Sequence, residues 1–561
     1  MCSAAEVHDA VATAALSTYS SLTANGKPRP RSNRQPEWTV LAAVCVWRAG
    51  PHGCDAQCVS LGTGLKALPL SRLPVHGDVL HDSHAEVVAR RGFKRWLYTQ
   101  IERAIGAEGG DADGDVLFVE RVDVREWQLK SGFKVGMYIS TLPCGDASTY
   151  FLSLNIPAGE EAAPGSPVAA SPASTEVTAT ATPGQVHRSL AEAASLGMHT
   201  ARDPSPGLSP PPVGGGTIST TPLAAVHRGR ASYTSFSILR TKPGRADSPP
   251  TISHSCSDKL ALWSLLGPQG ALLSQLGMRR VPLECVVIGG EFAEAERDKI
   301  RDECRRAIGG RLETWARSIG LSEDDFDGPD VAFTDRQFEG AREVVAAKQG
   351  VAVSEVVGCA ESISYIAGLT VEVITNGIRQ GGSAKRKAGE PLGPKVRSRL
   401  SKLSLYQMHL DIQRRLSHPP SYSEGSTTSF TVPRSSTAPL ATLPSEPLTY
   451  FAAKHPCSPL SASGETVNLL RQQLSILSPG ERYSVLKRLV RLAAPKPTVL
   501  PASPSIDTSE GELPSSTLAT STAVANVAAR GPFAGWLVSG EKWESFDADG
   551  GVVELGIGAA E

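Results

Sequence analysis

A short polar block at residues 82–86, with the sequence DSHAE, constrains this chain more than any other stretch. It leads into VVARRGFKRWLYTQIERAIG, in which apolar residues recur at helical spacing. Asp82 and Ser83 are residue types that cap helices well, so the pattern predicts a helix that begins here. His84 and Glu86 then lie in its first turn, where unpaired amides and the helix dipole favour a bound anion or hydroxide.

A histidine followed two residues later by a glutamate is also the first half of the H-x-E…P-C-x-x-C pattern of zinc-dependent deaminases. Alone it carries little weight, because the pair is common by chance and a helix start with two surface polar residues is the simpler explanation. Two cysteines in matching settings add to it. The first is Cys144, in PCGDAS, after the apolar run VGMYISTL that predicts a buried strand.

The usual second cysteine of that pattern is missing, since Ala147 stands three residues after Cys144. A catalytic zinc ion needs three protein ligands and a water. Cys256, in SCSDK at the head of the predicted helix KLALWSLLGPQGALLSQL, is the candidate for the third ligand. The remaining cysteines have no such setting, and a cysteine is often only a small buried apolar residue.

The blocks DSHAEVVARRGF, LPCGDAS and SCSDKLALWSLLGPQGALLS resemble the three signature blocks of the adenosine-to-inosine RNA deaminases. That family comprises the double-strand RNA editing deaminases and the tRNA adenosine deaminases. The resemblance covers residues 5–548 as one deaminase domain with insertions. It implies an α/β fold, a cytidine-deaminase-like three-layer sandwich with a mixed sheet, whose strands are expected near residues 38–48, 116–120, 135–143, 283–290 and 369–375.

The same resemblance assigns roles to the site residues. His84, Cys144 and Cys256 are expected to bind Zn²⁺. Glu86 is not a ligand in this scheme; it takes a proton from water, delivers it to N1 of adenine, and then protonates the departing ammonia.

Three basic residues are expected to contact RNA. Lys66 follows the segment CVSLGTG, which resembles a stretch that lies at the substrate ribose in the family, although Leu65 stands where the family often has threonine. Lys242 and Arg245 belong to RTKPGR, which resembles a basic loop of the tRNA-type enzymes. The alternatives are a solvated loop lysine and an exposed basic turn.

Several cations are expected to be buried along helices that start at the metal, which is costly without an anion. In the family such residues line a site for inositol hexakisphosphate. Ordinary surface lysines and arginines are the alternative explanation. Leu262 departs from the family pattern, which has arginine there, and Arg379 is a loose candidate to replace its charge. The residues that resemble the lining are Arg90, Arg91, Lys259, Trp263, Tyr450, Lys454, Tyr483, Lys487 and Trp536.

The start of the chain favours the tRNA branch of the family. A predicted helix at 6–22 is followed by a Gly-Lys-Pro loop, Glu-Trp-Thr and an apolar strand, an order that resembles the tRNA-type enzymes. No double-stranded-RNA-binding module is evident before the catalytic blocks. The expected substrate is the adenosine 3′ of the anticodon in alanine tRNA. The alternatives are a double-strand RNA editing deaminase and an inert RNA-binding scaffold on the same fold.

Composition adds limits to these expectations. The net charge of −1 gives no global basic field, so RNA contacts must come from local patches. The basic residues between 385 and 402 have three possible explanations: an RNA-phosphate surface, a nuclear-import signal, or merely a solvated linker.

Three low-complexity stretches, 156–227, 413–447 and 496–529, predict disordered insertions rather than further domains. No leader or membrane-length apolar run is evident, and the cysteines have no disulfide-like spacing. We therefore expect a nuclear or cytoplasmic protein with no membrane association and no obligate protein partner.

Overall fold

The computed structural model describes residues 2–51, 53–107, 117–154, 227–228, 236–242, 248–319, 321, 326, 328–382, 386–387, 389–417, 449–455, 477–491, 532–533, 536 and 541–553. The predicted insertions lie mostly outside these residues. Within them, no helix is long and apolar enough to cross a membrane.

The strands and helices are as follows. The strands are β1 (Glu37–Trp38), β2 (Leu41–Gly50), β3 (Gly53–Thr63), β4 (Leu65–Ala67), β5 (Asp82–His84), β6 (Val119–Asp123), β7 (Glu126–Leu129), β8 (Lys134–Ile139), β9 (His227–Arg228), β10 (Arg240–Thr241), β11 (Cys285–Gly289), β12 (Asp330–Thr334), β13 (Val357–Gly358), β14 (Glu361–Ile366), β15 (Glu372–Thr375) and β16 (Ile378–Arg379). The helices are α1 (Ala4–Ser21), α2 (Ala85–Ala107), α3 (Asp146–Leu154), α4 (Cys256–Leu266), α5 (Gly270–Gln275), α6 (Glu294–Arg305), α7 (Arg311–Ser318), α8 (Arg342–Gln349), α9 (Lys402–Ser417), α10 (Tyr450–Lys454) and α11 (Pro479–Val490).

Eight strands form one mixed sheet in the order β12-β11-β8-β2-β3-β14-β15-β16. The first three strands are mutually parallel, and every pair from β8–β2 onward is antiparallel. The mixed sheet and its covering helices confirm the predicted α/β class.

The two faces of the sheet are covered by different helices. Along β2, Leu41 and Ala43 belong to the core that contains α1, whereas Ala42, Val44 and Val46 belong to the core that contains α2. Because successive side chains of a strand point to opposite faces, this alternation produces the three layers.

Helix α2 approaches β3 closely at Gly62. A Cβ atom at Gly62 would lie 2.6 Å from the amide nitrogen of Ala89 and 2.7 Å from the carbonyl oxygen of Ala85. Both are backbone atoms of α2, so they cannot move aside without displacing the helix that begins one residue after His84.

Two boundaries differ from the sequence expectations. The predicted helix start at Asp82 is wrong, because residues 82–84 pair with β4 as β5 and the helix begins at Ala85. The predicted insertion at 413–447 begins too early, because α9 continues to Ser417. The N-terminal helix is confirmed with a slightly earlier start, after Ser3, whose side chain accepts from the Glu6 amide.

We expect Gly62→Ala to lower the free energy of unfolding by about 1–3 kcal/mol, because the added methyl overpacks the contact with α2. Gly106→Ala is the matched control, since nothing lies within 4 Å of a Cβ there and alanine favours the helix. Urea unfolding of both variants measures the difference. Equal stability of the two variants would contradict this close packing.

Candidate active site

A cavity of about 640 Å³ lies at the carboxyl ends of the parallel strands β8, β11 and β12. Its walls include residues from the segments that follow those strands, and they also include His84 and Glu86. Ligands of α/β sheets bind characteristically at the carboxyl ends of parallel strands. The volume is in the range of roughly 300–1,000 Å³ that is usual for small-molecule sites.

His84 is held by Asp82 on the wall of this cavity. The Nδ1 atom of the His84 ring lies 2.9 Å from Oδ1 of Asp82, and the His84 amide donates to the same oxygen at 3.0 Å. A carboxylate partner on one ring nitrogen fixes the tautomer and orients the ring. The other nitrogen, Nε2, is then the one suited to bind a metal.

The start of α4 brings the two predicted cysteines together. The Cys256 amide donates to the Cys144 sulfur at 3.3 Å, and Ser255 caps the helix. The Ser257 hydroxyl donates to the Cys144 carbonyl oxygen at 2.9 Å. One helix end therefore positions both sulfur atoms.

The two sulfur atoms differ in acidity. A hydrogen bond from Cys256, assisted by the charges of Lys242 and His84, lowers the pKa of the Cys144 thiol to about 6. Burial, followed by the contact with Cys144, raises the pKa of the Cys256 thiol well above its usual range. Cys144 is therefore a thiolate near neutral pH, the form in which cysteine binds metals.

Within the described ranges, no group of three or more His, Cys, Asp or Glu side chains is already arranged around a metal position. The donor types nevertheless fit zinc, which prefers imidazole nitrogen and thiolate sulfur. The Asp82-oriented ring of His84 and the acidic Cys144 thiol fit such a role in their chemistry.

Glu86 lies in the first turn of α2, is 3 % exposed and lines the same cavity as His84 and Cys144. A buried carboxylate at this position is suited to exchange protons with a ligand in the cavity.

The three predicted RNA contacts have different outcomes. Lys66 is exposed on β4. Lys242 does not face outward as expected: it is 3 % exposed, and its ammonium donates to Oδ2 of Asp82 at 2.8 Å and to the Cys256 sulfur at 3.1 Å. Arg245 lies outside the described residues.

A second cavity gathers all nine residues that were predicted to line the inositol-phosphate site. Its cationic side chains outnumber its carboxylates by eight to two. The cations are Arg90, Arg91, Lys94, Lys259, Lys402, Lys454, Lys487 and Arg491, and the carboxylates are Asp82 and Glu544.

The positive charge of this second cavity is poorly compensated. Burial, and then repulsion by neighbouring cations, lowers the pKa of Lys94 and of Lys487 well below the usual range. For Lys402, burial outweighs the nearby Glu544 carboxylate and lowers the pKa to about 8. A ligand of high negative charge would compensate these buried cations.

Asp82 connects the two cavities. It accepts from Lys242, which also contacts Cys256, and from Lys259, which lines the cationic cavity. Although burial alone would raise the pKa of Asp82, these two ammonium groups hold it well below its usual range.

Sequence reasoning missed five charged lining residues of the cationic cavity. Two had a usable signal: Lys94 lies four residues after Arg90, and Arg491 lies four after Lys487, so each pair shares a helix face. Lys402 was assigned to the basic run instead. The remaining two, Asp82 and Glu544, had no sequence signal that pointed to this cavity.

The structure also shows where Leu262, which departs from the family pattern, and Arg379, the candidate to replace its charge, lie. Leu262 is buried and lines the cationic cavity, whereas Arg379 is not among its lining residues. The Arg379 side chain is 38 % exposed and lies 3.9 Å from the buried carboxylate of Glu372. Arg379 therefore does not replace the missing arginine.

Three residues of the basic run between 385 and 402 form ion pairs with buried carboxylates. Arg386 pairs with Asp78 at 2.8 Å, Arg399 with Glu372 at 2.9 Å, and Lys402 with Glu544 at 2.9 Å. Lys385 lies outside the described residues. Arg386 and Arg399 are therefore less available for an RNA-phosphate surface, whereas Lys387 and Lys395 are exposed.

Comparison with known proteins agrees with this arrangement. Residues 60–463 match the model of the adenosine-deaminase (editase) domain. The chain is 31 % identical to tRNA-specific adenosine deaminase 1 of Mus musculus, over 68 % of this chain and 83 % of that protein. It is 28 % identical to the Homo sapiens protein of the same name, over 70 % and 85 % of the two chains.

A more distant relative belongs to the editing branch. The chain is 26 % identical to the double-stranded RNA-specific editase Adar of Drosophila melanogaster, over 49 % of this chain and 32 % of the editase. The three sequence blocks, the mixed sheet and the matched domain lead to one assignment, which confirms the family expected from the sequence. The chain belongs to the adenosine-deaminase (editase) family of enzymes that deaminate adenosine.

Proposed function

We propose that this protein deaminates adenosine to inosine by hydrolysis in tRNA, at the adenosine 3′ of the anticodon of alanine tRNA. The observation that carries the proposal is the buried Glu86 carboxylate, in the same cavity as His84 and Cys144 and beside Cys256. The reaction belongs to the nucleus or cytoplasm, where tRNA occurs.

The tRNA substrate is supported by the extent of similarity. The mouse and human relatives named for tRNA match 68 % and 70 % of this chain, whereas the fly editase matches 49 %. The relatives of that name from the two yeasts and the fly match about half of this chain, at 28–30 % identity against 26 % for the editase. The alternative substrate, a long RNA duplex, is tested by measuring inosine in alanine tRNA and in duplex RNA side by side.

His84, Cys144 and Cys256 would hold the zinc ion, with Asp82 orienting the imidazole from behind. When bound, zinc would lower the pKa of a coordinated water toward about 7 and so provide a nucleophile at neutral pH. Cys144 would contribute as a thiolate, since its pKa is already lowered to about 6 by its neighbours.

Glu86 would carry the protons of the reaction. Its carboxylate would accept one proton from water and deliver it to N1 of adenine as oxygen bonds to C6. It would then take the remaining proton from the new C6 hydroxyl and pass it to the amino group, so that the C6–N bond breaks, ammonia leaves and the C6 oxygen becomes the carbonyl of inosine. Burial of Glu86 keeps bulk water from competing for these transfers. The target base must leave its stack to enter the cavity, which costs a few kcal/mol and less in a loop than in a duplex.

RNA outside the cavity would be held by basic side chains at its rim. Lys66 is exposed one residue after Leu65, which lines the cavity, so its ammonium is placed to meet a phosphate. Arg245 retains its proposed RNA contact from the sequence resemblance alone.

The cationic cavity would hold inositol hexakisphosphate. Its chemistry fits, because a ring carrying six phosphates compensates many buried cations at once, and eight cations face two carboxylates there. Lys454 and Lys487 are among the side chains suited to contact phosphates. Trp263 lies under Arg90, with its ring centre 4.9 Å from the guanidinium, and so helps to hold that cation in place.

Removing the acid–base group tests the catalytic assignment. We expect Glu86→Gln to lower the rate of inosine formation by about 10²–10⁴-fold, because the amide cannot exchange the proton. Bound zinc should be unchanged, since Glu86 is not a ligand. Inosine is measured by sequencing alanine tRNA after single-turnover reactions.

Glu343→Gln provides the control for this variant, because Glu343 is an exposed acid on the rim of the same cavity. It should retain activity close to the wild type. Activity of Glu86→Gln within tenfold of wild type would show that another group moves the protons.

The polyanion is tested by thermal unfolding of protein purified from a host that cannot make inositol hexakisphosphate. Adding that compound should raise the melting temperature, because a ligand at 100 times its Kd stabilises by about 2.7 kcal/mol. Lys487→Met should weaken this effect, and Lys348→Met, at an exposed lysine of α8, should not. Full stability without the polyanion and no response to it would contradict the proposal.

The pH dependence offers a second measurement of the same site. The folded pKa of Lys402 is lowered to about 8 from 10.5, so between these values the unfolded chain binds more protons and stability rises with pH. The bound polyanion should raise the folded pKa again and flatten this slope. An unchanged slope after saturation would place the polyanion elsewhere.

A further inference from the structure

Phe236 is an exposed aromatic side chain in the segment that leads into the wall of the catalytic cavity. It is 41 % exposed, and the other large apolar side chains exposed to this degree among the described residues are aliphatic. Phe236 lies four residues before Arg240, which lines the cavity together with Thr241 and Lys242. Exposure of an aromatic ring to water is unfavourable, and a ligand that covered the ring would remove this unfavourable contact.

The backbone beside Phe236 is fixed to the catalytic centre. The amide of Ser237 donates to both carboxylate oxygens of Asp146, at 3.0 and 3.2 Å. Asp146 is buried, opens α3 and follows Cys144 by two residues, and Ser148 in the same helix lines the cavity. The position of Phe236 is therefore tied to the residues that form the cavity wall.

Arg306 completes this support. Its guanidinium lies 5.2 Å from the centre of the Phe236 ring, and its Nη1 donates to Asp146 Oδ2 and to the Ser237 hydroxyl, both at 2.8 Å. Arg306 begins a π-helical turn, Arg306–Gly310, between α6 and α7. Such turns occur frequently at functional sites.

Ser237 also has a backbone conformation that is unusual for a residue with a side chain, with φ at +59°. Strained residues of this kind persist where the surroundings hold them, and they cluster at ligand-binding positions. The strain, the buried carboxylate and the arginine together hold one apolar ring in an open position.

We propose that Phe236 is a stacking platform for an RNA base next to the target adenosine. This inference rests on the proposed function, because it needs an RNA from which the target base is extruded. Extrusion leaves the neighbouring bases without one stacking partner. A rigid aromatic side chain at the edge of the cavity replaces that partner, as aromatic residues do in single-stranded RNA recognition.

The test compares three substitutions of Phe236 in the full-length protein, with an alanine-tRNA transcript as the probe. Phe236→Trp keeps an aromatic face, Phe236→Leu keeps apolar bulk without a ring, and Phe236→Ala removes both. Leu154→Ala is the control, because Leu154 is 46 % exposed at the end of α3 but aliphatic. The dissociation constant is measured by fluorescence anisotropy at several salt concentrations, and inosine formation by single turnover.

We expect Phe236→Leu and Phe236→Ala to weaken binding by about 5- to 150-fold, the range for loss of one stacked base. Phe236→Trp and Leu154→Ala should bind within about twofold of wild type. The salt dependence should not change, since no phosphate contact is removed. A merely structural ring would instead lower the melting temperature of the leucine and alanine variants.

Three results would overturn the inference. They are wild-type binding by Phe236→Leu, equal loss of binding in Phe236→Trp and Phe236→Leu, and a loss that is accompanied by an altered salt slope. Failure of the proposed function is recognised separately, because wild-type protein would then form no inosine in any tRNA whatever residue stands at 236.

Discussion

The buried carboxylate of Asp82 is the interaction on which both cavities depend. On one side it orients the His84 ring, and on the other it neutralises Lys242 and Lys259. Removing one partner of a buried ion pair costs about 3–5 kcal/mol, because the remaining charge is left without compensation. The metal-binding chemistry and the cationic cavity are thus coupled through one residue.

Helix α2 explains why a cationic cavity lies close to the candidate active site. Helix α2 carries Glu86 at its start and Arg90, Arg91 and Lys94 along the face that lines the second cavity. The helix cannot place the carboxylate at the first cavity without burying those cations in the second. A polyanion that balances them would stabilise the same helix that positions the proton-transfer group.

The sequence indicated which side chains meet at the candidate site better than it indicated where the strands and helices begin and end. His84, Glu86, Cys144 and Cys256 stand in short blocks with a specific order, so they could be identified from residue type and resemblance. The strand β5 could not, because Asp82 and Ser83 are good helix caps and their pairing with β4 depends on a distant segment.

Long-range contacts explain the other differences. Lys242 looked like an exposed loop lysine, but Asp82 lies 160 positions earlier in the chain and its charge draws the ammonium inward. Glu544 offered no local pattern, yet it pairs with Lys402 and Lys454. Strands β3 and β12 were not predicted as separate elements, although the strand near 369–375, which is β15, was. Local patterns do not contain these pairings.

The proposed mechanism requires one imidazole and two thiolates to share a single zinc ion beside Glu86. X-ray absorption at the zinc edge of the purified protein tests it most directly. We expect the zinc ion to have two sulfur neighbours at about 2.3 Å and nitrogen or oxygen neighbours at about 2.0–2.1 Å. A zinc shell without sulfur, or one that keeps both sulfurs in Cys256→Ser, would contradict it.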